Sequence, residues 1–398
     1  MNHDQLAQAL LAAVRAQHFE QTEDALLGGA PVRHMPSIDL AVIAFPRRAA
    51  PVWANVLFSR EHPQGLVAEI GADAGAVRNV RFEADLQDGE QRSIAWLPDA
   101  DWSRLPFKPL SGSGPHRFVA PYPASLIKLM VAVGVARVVD DGRCGWDEAL
   151  AFDGRTRAIA DWCEDMLVVS CNQSTSALVA LLHRWDAIAP LRTAFAQQGL
   201  HTLRLDDTRA DGGWTNVAGA GVGHLQMTAW DCARLVWLLD ANAPAAPWPG
   251  AAPITSDASR ARLRAWLDDQ ALHEVLSSTA LAGVPGWVPG LPARLSRRWI
   301  GADGGVRAGS EVAFPADVRP AARAATLRFA HKTGTTETYV SDAGIAEGIA
   351  PARRHYIVAV IATLGRRCAP RAPCATTWRV PALGRAIDDA LSPWLEVM

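Results

Sequence analysis

Lysine is nearly missing from this 398-residue chain, which carries 39 basic residues but lysine only at positions 108, 128 and 332. The other 36 (39 − 3) are arginines, whose guanidinium stays charged and cannot act as a base. The surviving lysines thus become candidates for sites that need an amine able to lose a proton. A surplus of positive charge is also missing: net charge is −2, which leaves no basic field for nucleic acid or an acidic membrane. Cysteines 144, 163, 171, 232, 368 and 374 form no Cys-x-x-Cys pair and no zinc spacing with histidine, so no metal or other cofactor is expected. They read as free thiols, with Cys368 and Cys374 flanking a Pro-rich loop as the one pair considered for a bridge. No apolar stretch reaches the length of a bilayer span. The N-terminus lacks a basic lead-in, and Gln8 interrupts its short apolar run. It reads as an amphipathic helix and not a signal peptide, so the expectation is a cytoplasmic protein, with periplasmic export left open. No glycine precedes a lysine, and Gly219–Gly223 lacks the third spaced glycine, so neither a P-loop nor a dinucleotide fingerprint is present.

What is there is globular: 49% of residues are hydrophobic and 20% charged, enough for a sizeable core in one large domain or two ordinary ones. Residues 4 to 27 predict an opening helix stopped by Gly28-Gly29. Strand-like runs follow at 38 to 45 and 52 to 59. Runs at 79 to 86 and 91 to 97 are joined through Asp88-Gly89, a hairpin signal. Apolar spacing predicts helices at 158 to 169, 173 to 186, 227 to 239 and 256 to 268, interrupted by a Gly- and Asp-rich stretch at 205 to 223. Strands at 326 to 332, 339 to 346 and 355 to 364 and a helix at 381 to 391 close the chain. This segregation predicts an α+β fold: an antiparallel sheet built from both chain ends and flanked by helices, with an inserted all-helical lobe. Residues 1–105 are read as a helix plus β-rich extension partly joining the main sheet, and 106–398 as the main domain.

Residues 118 to 140 hold the chain's oddest juxtaposition. Leu126, Leu129, Met130, Val133, Val135 and Val138 make this helix apolar nearly all round, the pattern of a buried element, yet it carries Lys128. Ser125, three residues earlier, lies one turn away on the same face. Desolvation disfavours a charged amine, so such a lysine can act as a base toward the serine near neutral pH. The plainer reading is a snorkelling lysine beside a capping serine. Two further triplets bear on the choice: Ser170-Cys171-Asn172 between two helical runs, and Lys332-Thr333-Gly334 entering the closing sheet. Each alone is common.

In this order, Ser-x-x-Lys, Ser-x-Asn, Lys-Thr-Gly, the sequence resembles the penicillin-recognising serine hydrolases, the class A β-lactamases and penicillin-binding D,D-peptidases, over roughly residues 118 to 364. The resemblance implies a β-lactamase/transpeptidase-like fold and acyl transfer. Ser125 would be the nucleophile and Lys128 its base. Ser170 would pass a proton to the leaving nitrogen, with Lys332 supplying charge beside it. Asn172, Thr333, Gly334, Thr335 and Thr336 would bind substrate, and the backbone N–H groups of Ser125 and Thr335 would form the oxyanion hole. Two departures stand out. No glutamate lies between Glu164 and Glu274, where class A enzymes carry a water-activating one, and Asp206, Asp207 and Asp211 in that region read as turn aspartates. Cys171 stands where class A enzymes usually carry aspartate. The expected function is a serine hydrolase acting on a β-lactam or a related amide or ester, a small-molecule substrate. D,D-peptidase or esterase action and a β-lactam sensor acylated without turnover are the alternatives. Oligomeric state is not legible.

Overall fold

The computed structural model describes residues 1–85, 94, 101, 104, 105, 107–213, 225–308 and 312–397. Helix α1 (His3–Arg15) opens the chain, with Asn2 and Gln5 forming a capping box. It ends well before Gly28, because the apolar stripe of Leu6, Leu10, Leu11 and Val14 runs out. His18 then takes a left-handed φ of 50°, and two 3-10 turns carry the chain onward. Strands β1 (Ile38–Ala44), β2 (Val52–Phe58) and β3 (Leu66–Val67) follow. Next come β4 (Val80–Ala84), β5 (Lys108–Ser111) and β6 (His116–Ala120), where β4 pairs antiparallel with β5 and parallel with β6. The expected partner run at 91 to 97 and its Asp88-Gly89 turn fall largely outside the described residues.

A 3-10 turn (Ala124–Ile127) leads into α2 (Lys128–Asp140), and a small hairpin, β7 (Ala149–Phe152) and β8 (Arg155–Ala158), precedes the helical lobe. The lobe holds α3 (Ile159–Val168), α4 (Asn172–Arg184) and α5 (Ile188–Gln197). Short strands β9 (Arg204–Leu205) and β10 (Leu225–Gln226) then lead to α6 (Ala229–Leu239) and α7 (Asp257–Asp268). A hairpin, β11 (Val306–Ala308) and β12 (Val312–Phe314), and α8 (Arg319–Arg323) precede the long strands β13 (Leu327–Thr335), β14 (Val340–Gly348) and β15 (His355–Ala362). Helix α9 (Arg379–Val397) closes the chain.

The main sheet has six strands in the order β13-β14-β15-β1-β2-β3, every pair antiparallel. Leu40 of β1 lies opposite Val360 of β15 on one side and Val56 of β2 on the other, so the two ends of the chain meet in the sheet's interior. Strand side chains alternate between faces. Leu40, Val42, Val358 and Val360 pack with α1 and α9, while Ala41, Ile43, Ile357, Ala359 and Ile361 pack with α2, α6 and the lobe. Covering both faces explains why these strands read as near-continuous apolar runs. The α+β architecture expected from the sequence is the one observed. Strand β1 also carries a buried polar tie: Asp39 accepts from Asn55 Nδ2 at 2.7 Å and from the Ala229 N–H, at the N-terminus of α6, at 2.8 Å. All six cysteines are free, Cys368 and Cys374 included. Among the described residues no helix is long and apolar enough to cross a membrane.

Candidate active site

Three elements converge at one edge of the sheet. Ser125 sits in the 3-10 turn just ahead of α2, preceded by Ala124 at a left-handed φ of 50°. Ser170 joins α3 to α4 with its own φ at 60°. A non-glycine residue in that region is strained and persists only where its surroundings hold it. Strand β13 brings Lys332, Thr333, Gly334 and Thr335 alongside. A cavity of ≈ 380 Å³ is lined by Ser125, Ser170, Asn172, Thr333, Gly334 and Thr335 together.

Lys128 and Lys332 meet at the Ser170 hydroxyl. Lys128 Nζ donates to Ser170 Oγ at 3.0 Å, to the Ser170 carbonyl and to Asn172 Oδ1 at 2.8 Å. Lys332 Nζ donates to the same Ser170 Oγ at 2.9 Å and to the Thr333 carbonyl at 2.7 Å. Both lysines are buried. Burial, and then the charge of Lys128, hold the Lys332 amine well below the usual lysine range, while Asp342 and Glu274 act the other way.

Gly334 is required by close approach. A Cβ there would lie 2.6 Å from the Ser125 backbone nitrogen, 2.8 Å from the Pro123 carbonyl oxygen and 2.5 Å from Ser341 Oγ. Ser341 Oγ donates to that Pro123 carbonyl at 2.6 Å, tying the turn that carries Ser125 to β14. Thr335 Oγ1 is buried at the cavity and has no hydrogen-bond partner among the described residues. Thr336 does not line this cavity; its hydroxyl accepts from the Tyr339 N–H at 3.0 Å within the β13–β14 turn.

Other singled-out residues fall elsewhere. Asp206 pairs with Arg192 at 3.4 Å and Asp211 with Arg209 at 3.1 Å, and neither they nor Asp207 lines the cavity. Trp287 donates to the Ser278 carbonyl at 3.0 Å, whereas Trp214 and His224 lie outside the described residues. His331, fully buried behind β13, bonds Asp342 at 2.7 Å, and burial, then the charge of Lys332, hold its imidazole well below the usual histidine range. Glu164 and Asp165 pair with Arg298 and Arg157 at the surface of the lobe. The sequence reading passed over Glu274 and Arg366, both of which line the cavity. The available signal for Glu274 was a lone carboxylate in the run Ala271-Leu-His-Glu-Val-Leu276, which is otherwise free of charge apart from His273. Nothing marked Arg366 among so many arginines.

No family model matches the sequence, and no curated protein matches it. Solved structures do. A β-lactamase from Sphaerobacter thermophilus is 15% identical, with 96% of this chain and 97% of that one covered at a TM-score of 0.50. A class A β-lactamase from Bacteroides cellulosilyticus is 12% identical, covering 98% and 99% at a TM-score of 0.50. PBP-A, solved as an acyl-enzyme complex with penicillin G, is 15% identical, covering 100% and 98% at a TM-score of 0.49. The chain has a β-lactamase-like fold. At such identity the likeness speaks for the fold alone, and the chemistry must be argued from the residues.

Proposed function

We propose that this protein is a serine hydrolase that forms a covalent acyl-enzyme at Ser125 from a β-lactam or a related amide or ester. The observation that carries the reading is the Ser170 hydroxyl, held between two buried lysine amines in the cavity that Ser125 lines. Ser125 Oγ attacks the substrate carbonyl and forms a C–O bond, while its proton passes to Lys128, directly or through water. The 3.0 Å contact from Lys128 to Ser170 lets that proton continue to Ser170 Oγ and from there to the leaving nitrogen or oxygen as its bond to carbon breaks. Lys332, on the other side of Ser170, stabilises the hydroxyl oxygen while it is short of a proton. The N–H groups of Ser125 and Thr335 receive the developing oxyanion, each contributing on the order of 3 kcal/mol in comparable sites. Asn172, Thr333 and Thr335 bind the substrate's polar groups, and Gly334 lets β13 lie against the Ser125 turn. Attack of water on the ester then releases the acid and frees Ser125.

A second reading, a β-lactam sensor that holds its acyl group, draws on one observation: Asp206, Asp207 and Asp211 all lie away from the cavity. Purified protein is mixed with a chromogenic cephalosporin and with a penicillin, and turnover and intact mass are followed together. Turnover that vanishes in Ser125→Ala is expected. A lasting adduct without turnover would favour the sensor. No adduct on Ser125 with β-lactams, esters or fluorophosphonates would overturn the nucleophile assignment.

A further inference from the structure

A second cavity, of ≈ 840 Å³ against ≈ 380 Å³ for that of Ser125, opens at the opposite end of the main sheet. Arg328 at its edge is the second residue of β13 and Thr335 the last, so about 20 Å of strand separates the two cavities. One wall is a row of neighbours across the sheet. Arg328 of β13 lies opposite Glu347 of β14, Glu347 opposite His355 of β15, and the Phe45 N–H donates to the His355 carbonyl at 3.0 Å. The rim is made by the β1–β2 connection, the β14–β15 connection and residues 242–244 after α6. Pro46, Pro51, Pro244 and Pro351 fix the backbone of these segments. The β14–β15 connection is further closed by the Gly348 N–H on the Arg354 carbonyl at 2.7 Å and the Ala352 N–H on the Ile349 carbonyl at 2.9 Å. The rim thus holds its shape without a ligand to order it.

Arg47, Arg328, Arg353 and Arg354 line this cavity, against a single acid, Glu347. Glu347 is already committed: it accepts from Asn242 Nδ2 and from Arg264 Nη2, each at 2.8 Å. Arg264 also lies 3.6 Å from Asp240, whose carboxylate accepts from His355 Nε2 at 2.7 Å, so a guanidinium balances the acids gathered at this wall. Arg354 is buried and committed as well, to Asp388, to Glu396 at 3.1 Å and to Thr326 Oγ1 at 2.7 Å. Arg47, Arg328 and Arg353 are left over. All three are exposed, and among the described residues none makes a side-chain hydrogen bond or an ion pair within 4.0 Å. Arg328 also borders a neighbouring cavity that Asp268 lines, which leaves Arg47 and Arg353 the freest. In a chain of net charge −2, three uncompensated guanidinium groups from three distant segments meet at one concave surface. Such a surface concentrates anions, and the planar guanidinium fork matches the oxygens of carboxylate and phosphate. We infer that this cavity binds a small oxyacid bearing two or more negative charges, a polyphosphate or a polycarboxylate, with Arg47 and Arg353 as its main ligands and Arg328 as the third. The site needs neither Ser125 nor acyl transfer.

Tripolyphosphate, citrate and, as the singly charged control, acetate are titrated separately into the full chain at neutral pH and low ionic strength, with binding read by calorimetry. At least one polyanion is expected to bind about tenfold or more tighter than acetate, and the tighter of the two tells phosphate from carboxylate recognition. Arg47→Gln and Arg353→Gln should each weaken that binding by about tenfold, the loss of a charge-assisted contact. Low ionic strength strengthens every surface charge, so the comparison is Arg48→Gln, an exposed neighbour that does not line the cavity. Arg48→Gln should change binding by less than about twofold. Equal binding of all three anions overturns the inference. So does an equal loss in Arg48→Gln and Arg47→Gln, because general surface charge would then suffice. Polyanion binding that survives both Arg47→Gln and Arg353→Gln unchanged overturns it too, since the anion would then sit elsewhere, as beside Lys332 in the Ser125 cavity.

Discussion

Two lysine amines hold the Ser170 hydroxyl at 3.0 and 2.9 Å, and the residue's own backbone sits at a φ of 60° to reach them. Such strain persists where surrounding contacts fix it, here the grip of Lys128 on both the Ser170 carbonyl and its hydroxyl. Gly334 is the complementary case, a residue chosen for what it leaves out. A methyl at Gly334 would press on the Ser125 nitrogen at 2.6 Å and the Pro123 oxygen at 2.8 Å, both backbone atoms that cannot rotate aside. Gly334→Ala is therefore expected to cost about 1–3 kcal/mol of stability by overpacking. It should also slow adduct formation on Ser125 by about a hundredfold through misplacement of the nucleophile. Thermal unfolding and timed intact mass check the two effects, and an unchanged adduct rate would show that the turn tolerates displacement. At this scale the three triplets were legible because a buried lysine one turn from a serine, a serine gripped by two amines and a strand pressed against a backbone turn each demand one kind of side chain. Glu274 and Arg366 were not, because membership of a cavity depends on where loops from distant parts of the chain come to rest.

The elements were legible where periodicity was long and unbroken. The helices near 159, 172, 229 and 257 and the three closing strands lie within a few residues of their expected bounds. The opening helix ends at Arg15, short of the expected stop at Gly28, because its apolar stripe ends at Val14. The pairing of β4 with β5 and β6 escaped for a different reason: strand partners far apart in sequence leave no local mark. The tie between β1 and α6 through Asp39 is equally non-local, and it has a measurable consequence. Burial pushes the Asp39 carboxyl from 3.8 up to about 6, despite hydrogen bonds from Ala229 and Asn55 that favour its ionised form. The folded state thus binds this proton more tightly than the unfolded one. The group's contribution to stability falls as pH rises from about 4 through about 6 and is level beyond, a change of ~3 kcal/mol for a shift of about two units. Asp39→Asn keeps an oxygen for the Ala229 N–H and removes that titration. The stability of Asp39→Asn relative to the parent should rise by about that amount across the window in urea titrations. A flat difference would mean that Asp39 does not ionise within the fold.

Across the whole molecule, the sheet binds the two chain ends together, with β1 hydrogen-bonded between β2 and β15. A strand paired on both sides and covered on both faces opens only with the global structure. Amide exchange in Leu40–Ile43 should therefore show the same opening free energy as in Ile357–Val360, although some 300 residues separate the segments by their numbering. Exchange in Leu40–Ile43 faster by about a hundredfold would mean that the amino-terminal strands open on their own. The sequence by itself determined the α+β class, the segregation of strands and helices, and the three motifs in order, because local periodicity and the chemistry of individual side chains are written residue by residue. The tertiary structure alone decided that both lysines would meet at Ser170, that β1 would lie inside the sheet, and that Glu274 and Arg366 would face the cavity of Ser125. Each of those depends on contacts between segments distant in the chain, where packing and loop closure select the neighbours and no local pattern records the choice.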